Sequence, residues 1–553
     1  MDTKTEEDMA PEELFGKWNR DIIKKEWKIA FFSAFLIGMM IHMPVLLSDI
    51  PNHDGLDSMY FDQNMITSGR WFLMAACGFS SFYTIPWLIG VLGLLFLSLA
   101  AAALTELLEI RRTWAVVLTG GLLVSFPALA STFAYVFTMD GYMLALLLAV
   151  LAVLFTKKYP KGFLPGGICL AFSMGTYQAY LPFAMILSVY ALLMLAAAEP
   201  EGASTGSGQR EGGSVKNTHS SLTACAAGGG MFGKLKKSLH YLYMGVIGVA
   251  LYYGILQVLL KIQGKELASY QGINDMASGA AGSDLFSVIK GMYYDFFAFS
   301  LKGNIVFQDM FSAVACVVLL LAALGTGFYC MGSRKRWKNP FFFAIIILAV
   351  AFFPMLTNVI LLISPHVNYH LLMRYQWVLF LIGMVAFVGR DRGKAKVIMW
   401  AEWAALAAAF VLVFHYAVVD NIAYSNLQKR YEKTYAYCIR LLDRIEQTEG
   451  YYPGIPIAMI GWVSDVQYPD TDISLKVTSN MIGLNGDSLL YTGDNYREFI
   501  RHYLGASLNI QPAEAMAEVY YSEEYKAMDS FPGENSIRII DGVMYIKTEN
   551  LSQ

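Results

Sequence analysis

The chain has 553 residues, 56% of them hydrophobic and only 15% charged, with a formal net charge of −3 at pH 7. A soluble fold of that size has too little interior to hide so much apolar surface, so lipid must solvate much of it. The charge balance offers no basic arm for a nucleic-acid partner. The 6 cysteines, none in a CxxC pair, argue against a disulfide framework or a structural zinc site.

The N-terminus opens acidic (Met1-Asp-Thr-Lys-Thr-Glu-Glu-Asp) and has no short apolar core followed by a small-residue cleavage site. The first apolar run is therefore expected to be a retained signal anchor. Residues 1–28 read as a cytoplasmic amphipathic segment, with Lys24, Lys25 and Lys28 placed just before that run. Apolar runs then fall near 29–48, 84–109, 114–135, 139–156, 162–177, 180–198, 239–260, 311–331, 340–363, 373–389 and 397–418. They predict a mainly α, polytopic membrane protein of about eleven spans, the shortest of which fit a re-entrant segment as well.

Basic residues test the orientation. With the N-terminus inside, alternate loops hold Arg111-Arg112, Lys157-Lys158, Lys234 to Lys237, Arg334 to Lys338 and Arg390 to Lys396, while the opposite loops hold only isolated cations. Every loop agrees with one orientation under the positive-inside rule. Residues 199–236, rich in Gly, Ser, Thr and Ala, read as a flexible cytoplasmic linker between a first bundle at 29–198 and a second at 237–418. Residues 419–553 read as a small extracytoplasmic α/β domain. Its signals are a charged helical stretch at 423–448, a buried strand at Ile455–Trp462, helical patterns near 493–504 and 512–527, and an Asp541-Gly542 hairpin within Ile537–Lys547.

Polar chemistry gathers in the outer loops. The first carries Asp54 and Asp57, three apart and so on one side of a helical turn, then Arg70 with Trp71 and Phe72. Carboxylates beside a guanidinium could supply a base and an anion clamp, or merely mark the water side. Asp140 opens a later span and equally suits a helix N-cap. Tyr177 and Gln178 could contact a ligand or satisfy helix ends. His366, Asn368, His370 and Arg374 fill the last outer loop; the two histidines lack a third ligand of recognisable spacing, and Arg374 could simply snorkel. Walker, GxGxxG, GxSxG and HExxH patterns are absent from any fitting context, which disfavours nucleotide-driven chemistry.

Three of these stretches resemble the type II Gtr family of bacterial membrane glucosyltransferases. They are His53-Asp54-Gly-Leu-Asp57 with Ser68-Gly69-Arg70-Trp71-Phe72, Ser125 through Asp140, and Ser173-Met-Gly-Thr-Tyr177-Gln178-Ala-Tyr180. The resemblance covers roughly residues 30–390. It implies a GT-C enzyme that moves a hexose, glucose above all, from undecaprenyl-phosphate-glucose to a polysaccharide at the outer face of the cytoplasmic membrane. It also implies an essential acidic residue in the first outer loop, for which Asp54 comes first and Asp57 second. With that chemistry Arg70 and Arg374 are assigned to the donor phosphate, and Trp71, Asp140, Tyr177, Gln178, His366, Asn368 and His370 to sugar or acceptor; Arg374 and the His366–His370 loop are assigned by their position among the outer loops and not by the resemblance. No cofactor is certain; a divalent metal is optional, since one phosphate leaves and the outer loops before residue 419 hold no DxD motif. A flippase for a lipid-linked sugar and a non-catalytic scaffold for wall assembly are the alternatives, because fold resemblance alone does not establish chemistry.

Overall fold

Apolar segments in lipid must satisfy their backbone hydrogen bonds internally, and helices do this segment by segment. The computed structural model describes residues 10–548 except 53, 59–61, 79–84, 198–230, 269–284, 302–308, 334–339, 365–366, 391–394, 460–476, 480, 482 and 485–488. Helix α1 (Pro11–Asp21) leaves Phe15 and Trp18 exposed and buries no residue of its own, as an interfacial helix would. The membrane helices that follow are α2 (Lys25–Leu46), α5 (Pro86–Leu107), α6 (Thr113–Ser125), α7 (Pro127–Phe133), α8 (Met139–Lys158), α9 (Phe163–Thr176) and α10 (Leu181–Ala197). Two short turns, α3 (Gly55–Ser58) and α4 (Leu73–Ala76), lie between α2 and α5. Beyond them come α11 (Met231–Gln263), α12 (Leu285–Leu301), α13 (Met310–Ser333), α14 (Pro340–Thr357), α15 (Ile360–Ile363), α16 (Val378–Val388) and α17 (Lys396–Glu446).

Among the described residues, eight helical stretches are long and apolar enough to cross a membrane, and the bent pair α6–α7 makes a ninth if counted as one span. The protein is a multi-pass membrane protein. Helix α9 and the apolar part of α14 are shorter, so a total near eleven requires both to cross as well.

Helix α2 packs on α5 and α6, α5 on α8, α8 on α9, and α9 on α11. Small residues allow the closest approach: a Cβ at Gly90 would lie 2.0 Å from Leu46 Cδ2, and one at Gly38 would lie 2.8 Å from Leu94 Cδ2. Helix α17 packs on α13 and α6, and α14 on α10. At one end of the bundle the basic loops are tied by acids. Glu106 accepts Lys24 Nζ at 2.7 Å and Trp27 Nε1 at 3.0 Å, Lys157 meets Glu109 at 2.8 Å, and Arg112 meets Glu402 at 3.6 Å.

Helix α6 ends where Phe126 is extended, and α7 restarts at Pro127 with a 46° bend. Proline has no N–H, so the carbonyl of Leu123 loses its helical donor; the Tyr375 hydroxyl donates to it instead. The neighbouring Val124 carbonyl accepts His42 Nε2 at 2.8 Å, which leaves His42 Nδ1 to accept the Tyr424 hydroxyl at 2.6 Å. Helices α2 and α17 and the segment that leads into α16 are thereby tied to one break.

Two helices run across boundaries read in the sequence. Helix α17 runs unbroken for 51 residues through 418–419, where the change from apolar to charged residues placed a domain boundary. At 1.5 Å per residue it is about 75 Å long, more than twice a hydrocarbon core, so its second half projects from the bilayer. The change in composition marks the membrane surface and not a break in the helix. Helix α11 likewise starts at Met231, inside the stretch read as linker, whose remainder lies outside the described residues.

On the projecting half of α17 sits the C-terminal region. Strands β1 (Ile457–Met459), β2 (Ile537–Ile540) and β3 (Val543–Ile546) form a sheet in the order β1-β3-β2, with β1 parallel and β2 antiparallel to β3. Asp541 (φ 52°) and Gly542 (φ 79°) make the two-residue turn between β2 and β3. Helix α18 (Gly493–Phe499) and the following turn pack against α17, with Tyr431 5.8 Å from Phe499 and 5.5 Å from Tyr503 between ring centres.

Candidate active site

The described residues of loops 49–78, 134–140, 176–180 and 364–377 meet at the end of the bundle opposite the Glu106 and Glu109 ion pairs. In the first, Asn52 is buried and makes two bonds: its Oδ1 accepts the Gly55 N–H at 2.9 Å, and its Nδ2 donates to the Ala134 carbonyl at 3.0 Å. The short turn α3 starts from that bond, with Leu56 buried beneath and Asp54 exposed at its head. Asp57 belongs to the same turn, but its side chain, like all of His366, lies outside the described residues. On its far side α3 packs against α18 of the C-terminal region.

A second part of the loop carries Arg70. The Arg70 N–H donates to the Met65 carbonyl at 3.1 Å, and Gly69 between them adopts φ 76°. Space also requires glycine here, since a Cβ would lie 2.5 Å from Gln178 Nε2 and 2.6 Å from the Tyr252 hydroxyl. Gln178 Nε2 donates to the Ser68 carbonyl at 3.0 Å and to the Tyr252 hydroxyl at 3.1 Å. Arg70 lies over the Tyr177 ring at 5.3 Å, and its Nη1 donates to the Tyr142 hydroxyl at 3.3 Å. Tyr142 and Tyr177 stack at 4.4 Å, so the guanidinium is held by aromatic faces.

Trp71 lies flat against α9, where a Cβ on Gly175 would come within 2.5 Å of the indole. The Phe72 N–H donates to the Gly175 carbonyl at 2.7 Å. Trp71 Nε1 is buried with no hydrogen-bond partner among the described residues. Asp140 is buried in the first turn of α8, where its Oδ1 accepts the Gly141 N–H at 2.9 Å. It is not the N-cap that the sequence suggested, since Thr138 holds that position; Asp140 is the second residue of α8, where an acidic charge suits the positive end of the helix dipole.

Arg374 lies in a separate cluster. Its Nη1 and Nη2 fork onto Asp295 of α12 at 2.6 and 2.8 Å, and its Nε donates to the Tyr369 carbonyl at 3.2 Å. The Tyr369 ring lies 3.8 Å from the guanidinium and the Phe299 ring 4.6 Å. Asn358 Nδ2 donates to the same Asp295 at 3.0 Å, and Gln376 Nε2 donates to the Tyr369 hydroxyl at 2.8 Å. Arg374 is thus a buried partner of a carboxylate, not a snorkelling cation. His370 is half-buried; burial, then the Arg374 charge, holds its pKa below the usual value. Asn368 is exposed beside it.

The structure brings Arg70, Trp71, Tyr177 and Gln178 into one cluster and gathers Asn368, His370 and Arg374 into another. Segment 371–377 packs on 178–180, which joins the two. Asn52, Tyr142, Tyr252, Asp295 and Asn358 escaped the sequence reading. Asp295 is paired with a residue 79 positions away, a separation that carries no local signal. Among the described residues, no three His, Cys, Asp or Glu side chains assemble as a metal site would need.

No curated protein and no solved structure matches the chain. Residues 43–388, well over half its length, match a family model described as Glucosyl transferase GtrII. That match spans the Asp54 turn, the Arg70 cluster and the Arg374 cluster, and by it the chain belongs to the GtrII glucosyl transferase family, whose members are glycosyltransferases.

Proposed function

We propose that this glucosyltransferase takes glucose from a polyprenyl-phosphate carrier and delivers it to a cell-surface polysaccharide at the outer face of the cytoplasmic membrane. The observation that carries this reading is the joining of four polar loops at one end of a multi-pass bundle, with the opposite end given over to lysine and arginine loops tied by Glu106 and Glu109. Under the positive-inside rule the polar end faces outward, the N-terminus is inside, and the C-terminal region stands outside with the catalytic loops. Eleven spans, with α9 and α14 crossing, satisfy that orientation.

In this mechanism Asp54, with Asp57 as the second candidate, takes the proton from the acceptor hydroxyl as it attacks the anomeric carbon. A positioned base of this kind contributes about 10²–10⁴-fold. As the anomeric bond breaks, negative charge grows on the departing lipid phosphate. Arg70 meets that charge through charge-assisted hydrogen bonds. Arg374 acts at a remove from the phosphate, because its fork is occupied by Asp295. Trp71, with its unspent indole N–H, and Gln178 line the sugar side. Asp140 supports the start of α8, while His370 and Asn368 extend the acceptor side. A divalent metal is optional for a leaving monophosphate.

The test supplies vesicles holding the purified full chain with radiolabelled undecaprenyl-phosphate-glucose or radiolabelled UDP-glucose, together with purified cell-surface polysaccharide. The reading predicts label on polysaccharide from the lipid donor alone. Transfer from UDP-glucose without lipid would contradict it, and so would label that crosses the bilayer while still attached to its lipid.

A further inference from the structure

Asp54 stands on a turn only four residues long, far too short to hold itself in one conformation. Its stiffness must come from neighbours. Asn52 bridges two elements there: its carbonyl oxygen caps the turn at Gly55 N–H, and its amide caps the end of α7 at the Ala134 carbonyl. Ala134 follows the last residue of α7, so this carbonyl is one of those a helix end leaves without an internal donor. Both halves of one side-chain amide are thus committed, which also settles which way the amide points.

A third element closes over it. Gly483, from the C-terminal region, adopts φ 81° directly above this junction. A Cβ there would lie 3.2 Å from Ala134 Cβ, 3.2 Å from Tyr135 Cε2 and 3.6 Å from Asn52 Nδ2. Asn426 of α17 donates to the Leu484 carbonyl at 3.0 Å, which anchors the Gly483 segment to the long helix. Helix α18 packs on the other side of the turn. Gly483 and α18 both lie beyond residue 388, where the family match ends.

We infer that Asn52 is the positioning residue for the Asp54 turn, and that the C-terminal region locks it in place through Gly483. The inference rests on the reading of Asp54 as the base. It gives the C-terminal region a defined task, to hold the acid loop against α7 while the substrates bind. Asn52 touches neither donor nor acceptor in this scheme. Its loss should therefore lower turnover and leave donor binding alone, because misplacing a base by about 1 Å can cost roughly a hundredfold in rate.

The experiment measures kcat and KM for undecaprenyl-phosphate-glucose in vesicles, per folded full-length molecule, for wild type, Asp54→Asn, Asn52→Ala, Asn52→Asp and Gly483→Ala. Asn52→Ala should lower kcat by roughly tenfold to a hundredfold with KM within about twofold of wild type. Asn52→Asp retains the acceptor for Gly55 N–H but sets a second acceptor against the Ala134 carbonyl, so its kcat should fall at least as far as that of Asn52→Ala. Gly483→Ala should lower kcat in the same direction. If Asn52→Ala does not fold, Asn52→Asp decides alone. An inactive Asp54→Asn beside folded Asn52 variants with wild-type kcat would overturn the positioning role and leave the base assignment standing. A wild-type rate in Asp54→Asn, or no transfer by wild type, would overturn both.

Discussion

Arg374 shows how a single side chain changes meaning once its partner is known. A guanidinium at the lip of a span could have been a phosphate ligand or a surface anchor. Paired on both nitrogens with Asp295 and enclosed by Tyr369 and Phe299, it ties α12 to the segment that enters α16. Removing one member of a buried pair strands the other. Asp295→Ala should therefore destabilise the folded protein by about 2–3 kcal/mol, a value reduced for the partial exposure of Asp295 and readable from thermal unfolding in detergent. Arg374→Lys should not substitute for Arg374, because an ammonium cannot reproduce the fork. His370 gives a pH signature. Its folded pKa lies below the usual histidine value near 6.5, so the unfolded chain takes up the proton first as pH falls. The neutral ring's contribution is complete above that usual value and is lost below it. Unfolding midpoints measured from pH 7.5 down to about 5.5 should fall more steeply for wild type than for His370→Gln. Residue types at this end of the molecule were legible in the sequence, and Asp54, Arg70, Trp71, Tyr177 and Gln178 all stand in the loops expected of them. Pairings were not legible. Asn52 looked like any loop asparagine, and its bond to Ala134 crosses 82 residues.

At the level of elements, the α6–α7 break is the feature whose cause can be traced furthest. Pro127 withdraws one backbone donor, and Tyr375 and His42 fill the vacancies left on Leu123 and Val124. Tyr375→Phe should then cost about 1–3 kcal/mol, the penalty of a buried carbonyl with no donor. In a Pro127→Ala background residue 127 regains an N–H for Leu123, and the same Tyr375→Phe change should cost less. A double-mutant cycle on thermal stability reads that coupling directly, and equal costs in the two backgrounds would refute the assignment. Helical spans were legible because runs of Leu, Ala, Val and Ile are long compared with any core helix. The bend inside 114–135 was not resolved by hydropathy, since composition does not change across Pro127. Helix α17 misled in the opposite way: composition changes at 418 while the backbone continues, because the helix crosses from lipid into water.

For the whole molecule, the architecture assigns separate work to the two ends. Glu106, Glu109 and Glu402 bind the basic loops at one end. At the other, polar loops from several helices converge beneath the C-terminal region, which α17 carries up from the membrane. The hairpin at Asp541-Gly542 could be read from its turn residues alone. That the C-terminal region rests on the Asp54 turn could not, since Gly483 and Asn52 meet only in three dimensions. The base of the proposed glucosyl transfer is Asp54, an exposed carboxylate on the loop that follows α2. The most direct test of that assignment is the rate of glucose transfer from undecaprenyl-phosphate-glucose by correctly inserted Asp54→Asn protein in vesicles, with Asp57→Asn alongside. A fall of about 10²–10⁴-fold is expected for Asp54→Asn and a smaller one for Asp57→Asn. Transfer by Asp54→Asn at the wild-type rate would contradict the assignment.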